Sequence, residues 1–168
     1  ITADTFNICI AGTHGKTSIS TMVGHLLRHS GYGCNVFLGG ISVNYNTNFW
    51  SSANEVCVVE ADEFDRSFHK LSPDIAVVSS MDADHLDIYG TVEKMEDAFV
   101  EFTQRLKPAG LLIRKLNLKR LNKTPIKRQL TYQLENEVLS DEYAMQSKHQ
   151  HNDITTADIF GSNMQVID

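Results

Sequence analysis

The chain's 168 residues are enough for one domain with a real hydrophobic core, and 42% hydrophobic with 21% charged residues is ordinary globular composition. A formal net charge of -6 argues against a protein whose main business is a nucleic-acid backbone, which demands a basic face. No apolar run approaches the roughly 20 residues that cross a bilayer, and residues 1–7 lack the charged start and apolar middle of a signal peptide, so a soluble cytoplasmic protein with no nucleic-acid or membrane partner is expected.

In chain order, residues 7–11 (NICIA) form a short apolar strand ending at Gly12, and residues 17–30 follow as a helix with Ile19, Met22, Val23, Leu26 and Leu27 on one face. Residues 35–38 read as a second strand closed by Gly39-Gly40, and the valine-rich residues 55–61 (EVCVVEA) as a third. Residues 74–81 (DIAVVSSM), introduced by Pro73, are the fourth. Thr91 is placed to cap a helix through Leu106, in which Val92, Met95, Ala98, Phe99, Phe102 and Leu106 recur at helical spacing before Pro108 and Gly110 end it. A fifth strand starts over residues 110–113. Apolar strands alternating with helices predict an α/β fold, a doubly wound and mostly parallel sheet covered on both faces, with its core in residues 5–115.

Residues 116–168 carry a weaker pattern and are expected to extend the same single domain with small β elements. A basic amphipathic segment holds Leu116, Leu118 and Leu121, followed by strands at Gln129–Leu134 and at residues 143–147, 154–160 and 164–167. Residues 146–153 read as an exposed loop, and Gly161-Ser162-Asn163 as a hairpin turn. The basic residues between Arg114 and Arg128 are expected to form a solvated helix face and loop. Cys9, Cys34 and Cys57 are an odd number, and Cys9 and Cys57 lie in apolar runs, which suits buried thiols in a reducing compartment.

The chemistry is concentrated where strands end. Gly12, Thr13, His14, Gly15, Lys16, Thr17 and Ser18 make an irregular phosphate loop, in which Ile10 occupies the place of the usual first glycine. The physical ingredients are nevertheless present. Gly12 and Gly15 let backbone N–H groups turn toward an anion, the following helix offers its positive end, Lys16 can reach outer phosphates and the Thr17 hydroxyl can ligate magnesium. The loop is therefore expected to hold the triphosphate of ATP with Mg2+.

Glu60, Asp62, Glu63 and Asp65 follow the third strand, and Asp82, Asp84, His85 and Asp87 follow the fourth, at the sheet edge where parallel strands deliver ligands. Magnesium takes carboxylates alongside phosphate oxygens, which makes Glu60 the expected partner of Thr17. His85 is a softer ligand, suited either to a second, manganese-like ion or to a hydrogen bond with phosphate. Asp62, Glu63, Asp65 and Asp87 are expected to be helix caps or solvated turns. His25 and His29, four apart on the first helix, have metal-binding spacing but no evident third ligand.

Together, residues 11–18 (AGTHGKTS), Gly39-Gly40, residues 59–68 (VEADEFDRSF) and residues 82–90 (DADHLDIYG) resemble the central, ATP-binding domain of the Mur ligases. The resemblance covers residues 5–115 well and the remainder weakly, and it is strongest to the branch that joins L-alanine to UDP-N-acetylmuramate in peptidoglycan synthesis. It implies that ATP phosphorylates the lactyl carboxylate of the muramate and that the amine of L-alanine attacks the acyl phosphate. By the same resemblance, Lys16 neutralises the transferring phosphoryl group, Thr17 and Glu60 hold magnesium, and His85 serves a second metal site, so that Lys16, Glu60 and His85 form the catalytic set. Phe64 stands where the family usually has serine, and no lysine is assigned to the carbamylated position that other branches use. The family's N-terminal UDP-binding domain and C-terminal closing domain are not expected within these residues, so weak nucleotide binding without ligation is expected of them alone.

Three other readings compete. The branch that recycles murein tripeptides differs after Glu-Ala-Asp-Glu, where Arg66-Ser67-Phe68 favours the alanine branch. A non-catalytic nucleotide-binding module has less need of two acidic strand ends. A P-loop GTPase would carry a guanine-reading Asn-Lys-x-Asp, which is not present.

Overall fold

The computed structural model describes residues 2, 4–134 and 159–161. Eight strands, β1 (Phe6–Ala11), β2 (Asn35–Ser42), β3 (Thr47–Trp50), β4 (Val56–Glu60), β5 (Ile75–Val78), β6 (Leu111–Lys115), β7 (Gln129–Leu134) and β8 (Ile159–Gly161), form one sheet in the order β3-β2-β4-β1-β5-β6-β7-β8. Every neighbouring pair is parallel except β2 and β3. The central strand β1 is flanked by β4 and β5, with Ile10 level with Glu60 and Ala11 level with Val78. Three strands thus end side by side.

Side chains that alternate along the strands build two cores, one on each face. Ile10, Val36, Val56 and Val58 pack with Trp50 under helix α1 (Lys16–His29), whose Ile19, Val23 and Leu27 lie against them. On the opposite face Cys9, Ala11, Cys57, Val59, Ala76 and Val78 pack against Phe99 and Phe102 of helix α3 (Val92–Thr103). This double cover accounts for the near-continuous apolar strands. All three cysteines are buried free thiols, and burial, reinforced by Asp74, pushes the Cys9 thiol up to about 12. Among the described residues no helix is long and apolar enough to cross a membrane.

Several details differ from the sequence reading. Met22 and Leu26 are 57% and 67% exposed, while the buried positions of α1 are Ser20 and Gly24. A Cβ on Gly24 would lie 2.8 Å from Val36 Cγ2 and 2.9 Å from the Trp50 ring, so the helix sits too close to the sheet for a larger residue. Gly39-Gly40 does not close β2, which runs on to Ser42 and pairs with the unforeseen strand β3. Helix α3 ends at Thr103 rather than Leu106, but its cap is as expected: Thr91 accepts a hydrogen bond from the Lys94 amide. Arg114 is not solvated. It is buried, donating from Nε to Gln129 at 3.1 Å and from Nη1 to the Leu116 carbonyl, whereas Lys119, Arg120, Lys123, Lys127 and Arg128 are exposed around the short helix α4 (Lys119–Asn122). The expected strands at residues 143–147 and 164–167, the loop at 146–153 and most of the 161–163 turn lie outside the described residues. So does most of the expected strand at 154–160, whose last residues form β8 beside β7.

Candidate functional site

The loop between β1 and α1 is drawn tightly onto the end of β5. Gly12 has φ of 136°, and a Cβ there would lie 2.1 Å from Ser79 Oγ, so only glycine fits. Gly15, in the left-handed region, precedes α1 without any side-chain cap, which leaves the first N–H groups of the helix free of side-chain competitors. Ser79 and Ser80 stitch the loop in place. The Ser80 hydroxyl accepts from the His14 amide at 2.8 Å and from Thr13 Oγ1 at 3.0 Å, and Ser79 Oγ donates to the His14 carbonyl at 2.6 Å. Thr13 Oγ1 in turn accepts from the Asp82 amide. Thr13 and the His14 backbone therefore shape the loop, while the His14 ring is exposed 3.5 Å from Asp82, and Ser18 is exposed on the first turn of α1.

Two acids from the end of β4 meet the next two loop residues. Glu60 accepts the Thr17 hydroxyl on Oε1 at 2.8 Å and the Gly39 amide on Oε2 at 2.7 Å. Gly39 matters here through its size, because a Cβ would come within 3.0 Å of Glu60 Oε1. Glu63 takes the Lys16 ammonium on Oε1 at 2.8 Å, with the lysine side chain 14% exposed and the glutamate fully buried. The Glu63 carbonyl accepts the Tyr89 hydroxyl and the Arg66 amide, and burial pushes the Tyr89 hydroxyl up from its ordinary range.

Glu63 thus departs from the expected solvated turn. Its parity was the available signal: Ala61 and Glu63 point inward while Asp62 and Phe64 point outward. Asp62 and Asp65 do behave as turn acids, accepting the amides of Phe64 and Ser67, and these Ser67 bonds hold the Asp65 carboxyl low. Asp87 is exposed on the short helix α2 (Leu86–Tyr89). Ser79, Ser80 and Tyr89 were not singled out in the sequence, and their hydroxyls reveal themselves only through contacts across the fold.

His85 stands at the start of α2 with positive φ, its Nε2 3.7 Å from Asp84 and its ring edge-on to Phe64 at 5.1 Å. Thr17 and Glu60 are brought together; no contact joins His85 to either. Among the described residues no three His, Cys, Asp or Glu side chains gather as a metal cluster. His25 instead bonds Tyr45 Oη at 2.7 Å and stacks on His29.

The Mur ligase middle domain, as a family model, matches residues 10–167. The chain belongs to the Mur ligase family. It is 58% identical over 107 residues to a UDP-N-acetylmuramate–L-alanine ligase of Phocaeicola vulgatus, covering 63% of this chain and 23% of that protein. Among solved structures it resembles a UDP-N-acetylmuramate-alanine ligase from Thermotoga maritima, with TM-score 0.64 and 26% identity over 77% of this chain and 29% of the other. It also shares the fold of the UDP-N-acetylmuramate:L-alanyl-gamma-D-glutamyl-meso-diaminopimelate ligase of Neisseria meningitides, with TM-score 0.72 and 22% identity over 79% of this chain and 47% of that one. The chain therefore spans about a quarter of the length of the curated relatives it matches. As a Mur ligase middle domain it has its loop, Glu60 and Glu63 on one crevice at the carboxyl ends of β1, β4 and β5.

Proposed function

We propose that the chain is the nucleotide-binding domain of an ATP-dependent ligase that joins L-alanine to UDP-N-acetylmuramate through an acyl phosphate. The observation that carries this is the Thr17–Glu60 contact beneath a glycine-formed loop, which sets a hydroxyl and a carboxylate oxygen side by side next to a lysine. The 58% identity to a ligase of that name supports the choice of substrates.

The all-oxygen pair fits magnesium, which binds through one or two protein oxygens and completes its shell with water and phosphate. Thr17 and Glu60 would hold it, and when bound it supplies neutralising charge to the phosphates. Free N–H groups at the start of α1 would donate to phosphate oxygens, and Lys16 would bring a positive charge to the group being transferred. Gly39 keeps Glu60 oriented through its amide. For His85 we favour a hydrogen bond to phosphate over a manganese-like site, since among the described residues Asp84 is the one acid within ion-pair distance of its ring. The carboxylate of the muramate would attack the γ-phosphorus, releasing ADP; the alanine amine would then attack the acyl carbon, releasing phosphate and a proton.

Phosphoryl transfer depends on positioning and charge. The reaction therefore belongs to the full-length protein. There, steady-state ADP release over many turnovers should require both UDP-N-acetylmuramate and L-alanine, and Lys16→Ala should lower it by at least about 100-fold. Steady-state ADP release indifferent to L-alanine, or a preference for GTP over ATP in competition, would sink the proposal.

A further inference from the structure

We infer that Glu63 is a positioning residue for Lys16, an internal counter-anion that fixes the ammonium in the crevice and that the outer phosphates of a nucleotide must share. The inference rests on the nucleotide reading above. A fully buried carboxylate is costly unless paired, and among the described residues its ionic partner is Lys16, at 2.8 Å. Its second oxygen, Oε2, is buried with no hydrogen-bond partner among the described residues, so the carboxylate is not satisfied as a self-contained structural pair would be.

The acid is held from its backbone. The Tyr89 hydroxyl and the Arg66 amide both donate to the Glu63 carbonyl, tying the end of β4 to α2, and the Arg66 guanidinium lies 5.1 Å over the Tyr89 ring. Lysine has three donors. One is spent on Glu63, and the other two have no partner among the described residues. An ammonium on a flexible four-carbon stem is thereby placed before any ligand arrives, with two donors to spare.

The arrangement has opposite effects on binding and on rate. The Glu63 charge offsets part of the attraction of Lys16 for phosphate, which weakens binding, while the fixed ammonium geometry favours transfer. Only nucleotides carrying phosphates beyond the first should sense it.

Glu63→Gln keeps the size and an acceptor oxygen but removes the charge. In the full-length protein this variant should bind ATP with magnesium about tenfold more tightly and leave AMP binding unchanged, because one unit of opposing charge has gone from beside the ammonium. Its kcat should fall about tenfold while KM for ATP also falls. Unchanged ATP affinity, or ATP and AMP affinities weakening together, would overturn the inference. Tyr89→Phe provides a second route, since it leaves both charges and loosens the carbonyl anchor: kcat should fall severalfold with ATP affinity within about twofold of wild type. An unchanged kcat there counts against the inference. Failure of the wild-type protein to bind ATP would instead overturn the nucleotide reading, and this inference with it.

Discussion

Glycine at position 39 shows how a single absent side chain sets chemistry. Its amide holds one oxygen of Glu60 while Thr17 holds the other, and an added methyl would lie 3.0 Å from the carboxylate. Gly39→Ala should therefore weaken magnesium-dependent ATP binding severalfold while stability changes by less than about 1 kcal/mol, because the position is exposed and not in the left-handed region. Gly12→Ala is a different case. There the positive φ alone costs about 1–3 kcal/mol, and the new Cβ would sit on Ser79 Oγ. Denaturant midpoints of the two variants, measured side by side, should separate a site defect at Gly39 from a folding defect at Gly12; equal midpoints would contradict the assignment.

Among the elements, helix α3 depends most on what its sequence advertises. Thr91 caps it and Met95, Ala98, Phe99 and Phe102 are buried against the sheet. Thr91→Ala should cost about 1 kcal/mol, and Phe99→Ala about 3–5 kcal/mol, both read as shifts in urea midpoint at constant slope. Elements of this kind could be read from the sequence because their signals are local: the apolar run of β1, the helical spacing of α3, the glycines of the loop. The missed features depend on distant partners. Strand β3 has four residues, and its pairing with β2 requires Gly39-Gly40 to stay extended, which a reader of turns takes for a stop. Leu26 looked like core because hydrophobicity was weighed without size, whereas the helix approaches through Gly24. Glu63 sits in an acidic run and its partner Lys16 lies 47 positions away, so the one local mark of its burial is its alternation with Ala61 against Asp62 and Phe64.

At the scale of the molecule, two separate cores on the faces of one sheet bury all three thiols. Cys9, whose thiol burial pushes to about 12, and the buried Cys34 and Cys57 should resist a thiol reagent at pH 8 and react together once denaturant unfolds the sheet. Rapid labelling of one thiol in the native protein would contradict that packing. The same sheet delivers the loop from β1, the paired acids from β4 and the serine clamp from β5 to one edge. The most direct test of that convergence is calorimetric titration of ATP, with and without magnesium, into the protein and its Glu60→Ala variant. The Thr17–Glu60 site predicts that magnesium tightens ATP binding in the wild type and that the variant loses most of this dependence while still binding ATP through Lys16. A variant that keeps the full magnesium dependence would contradict it.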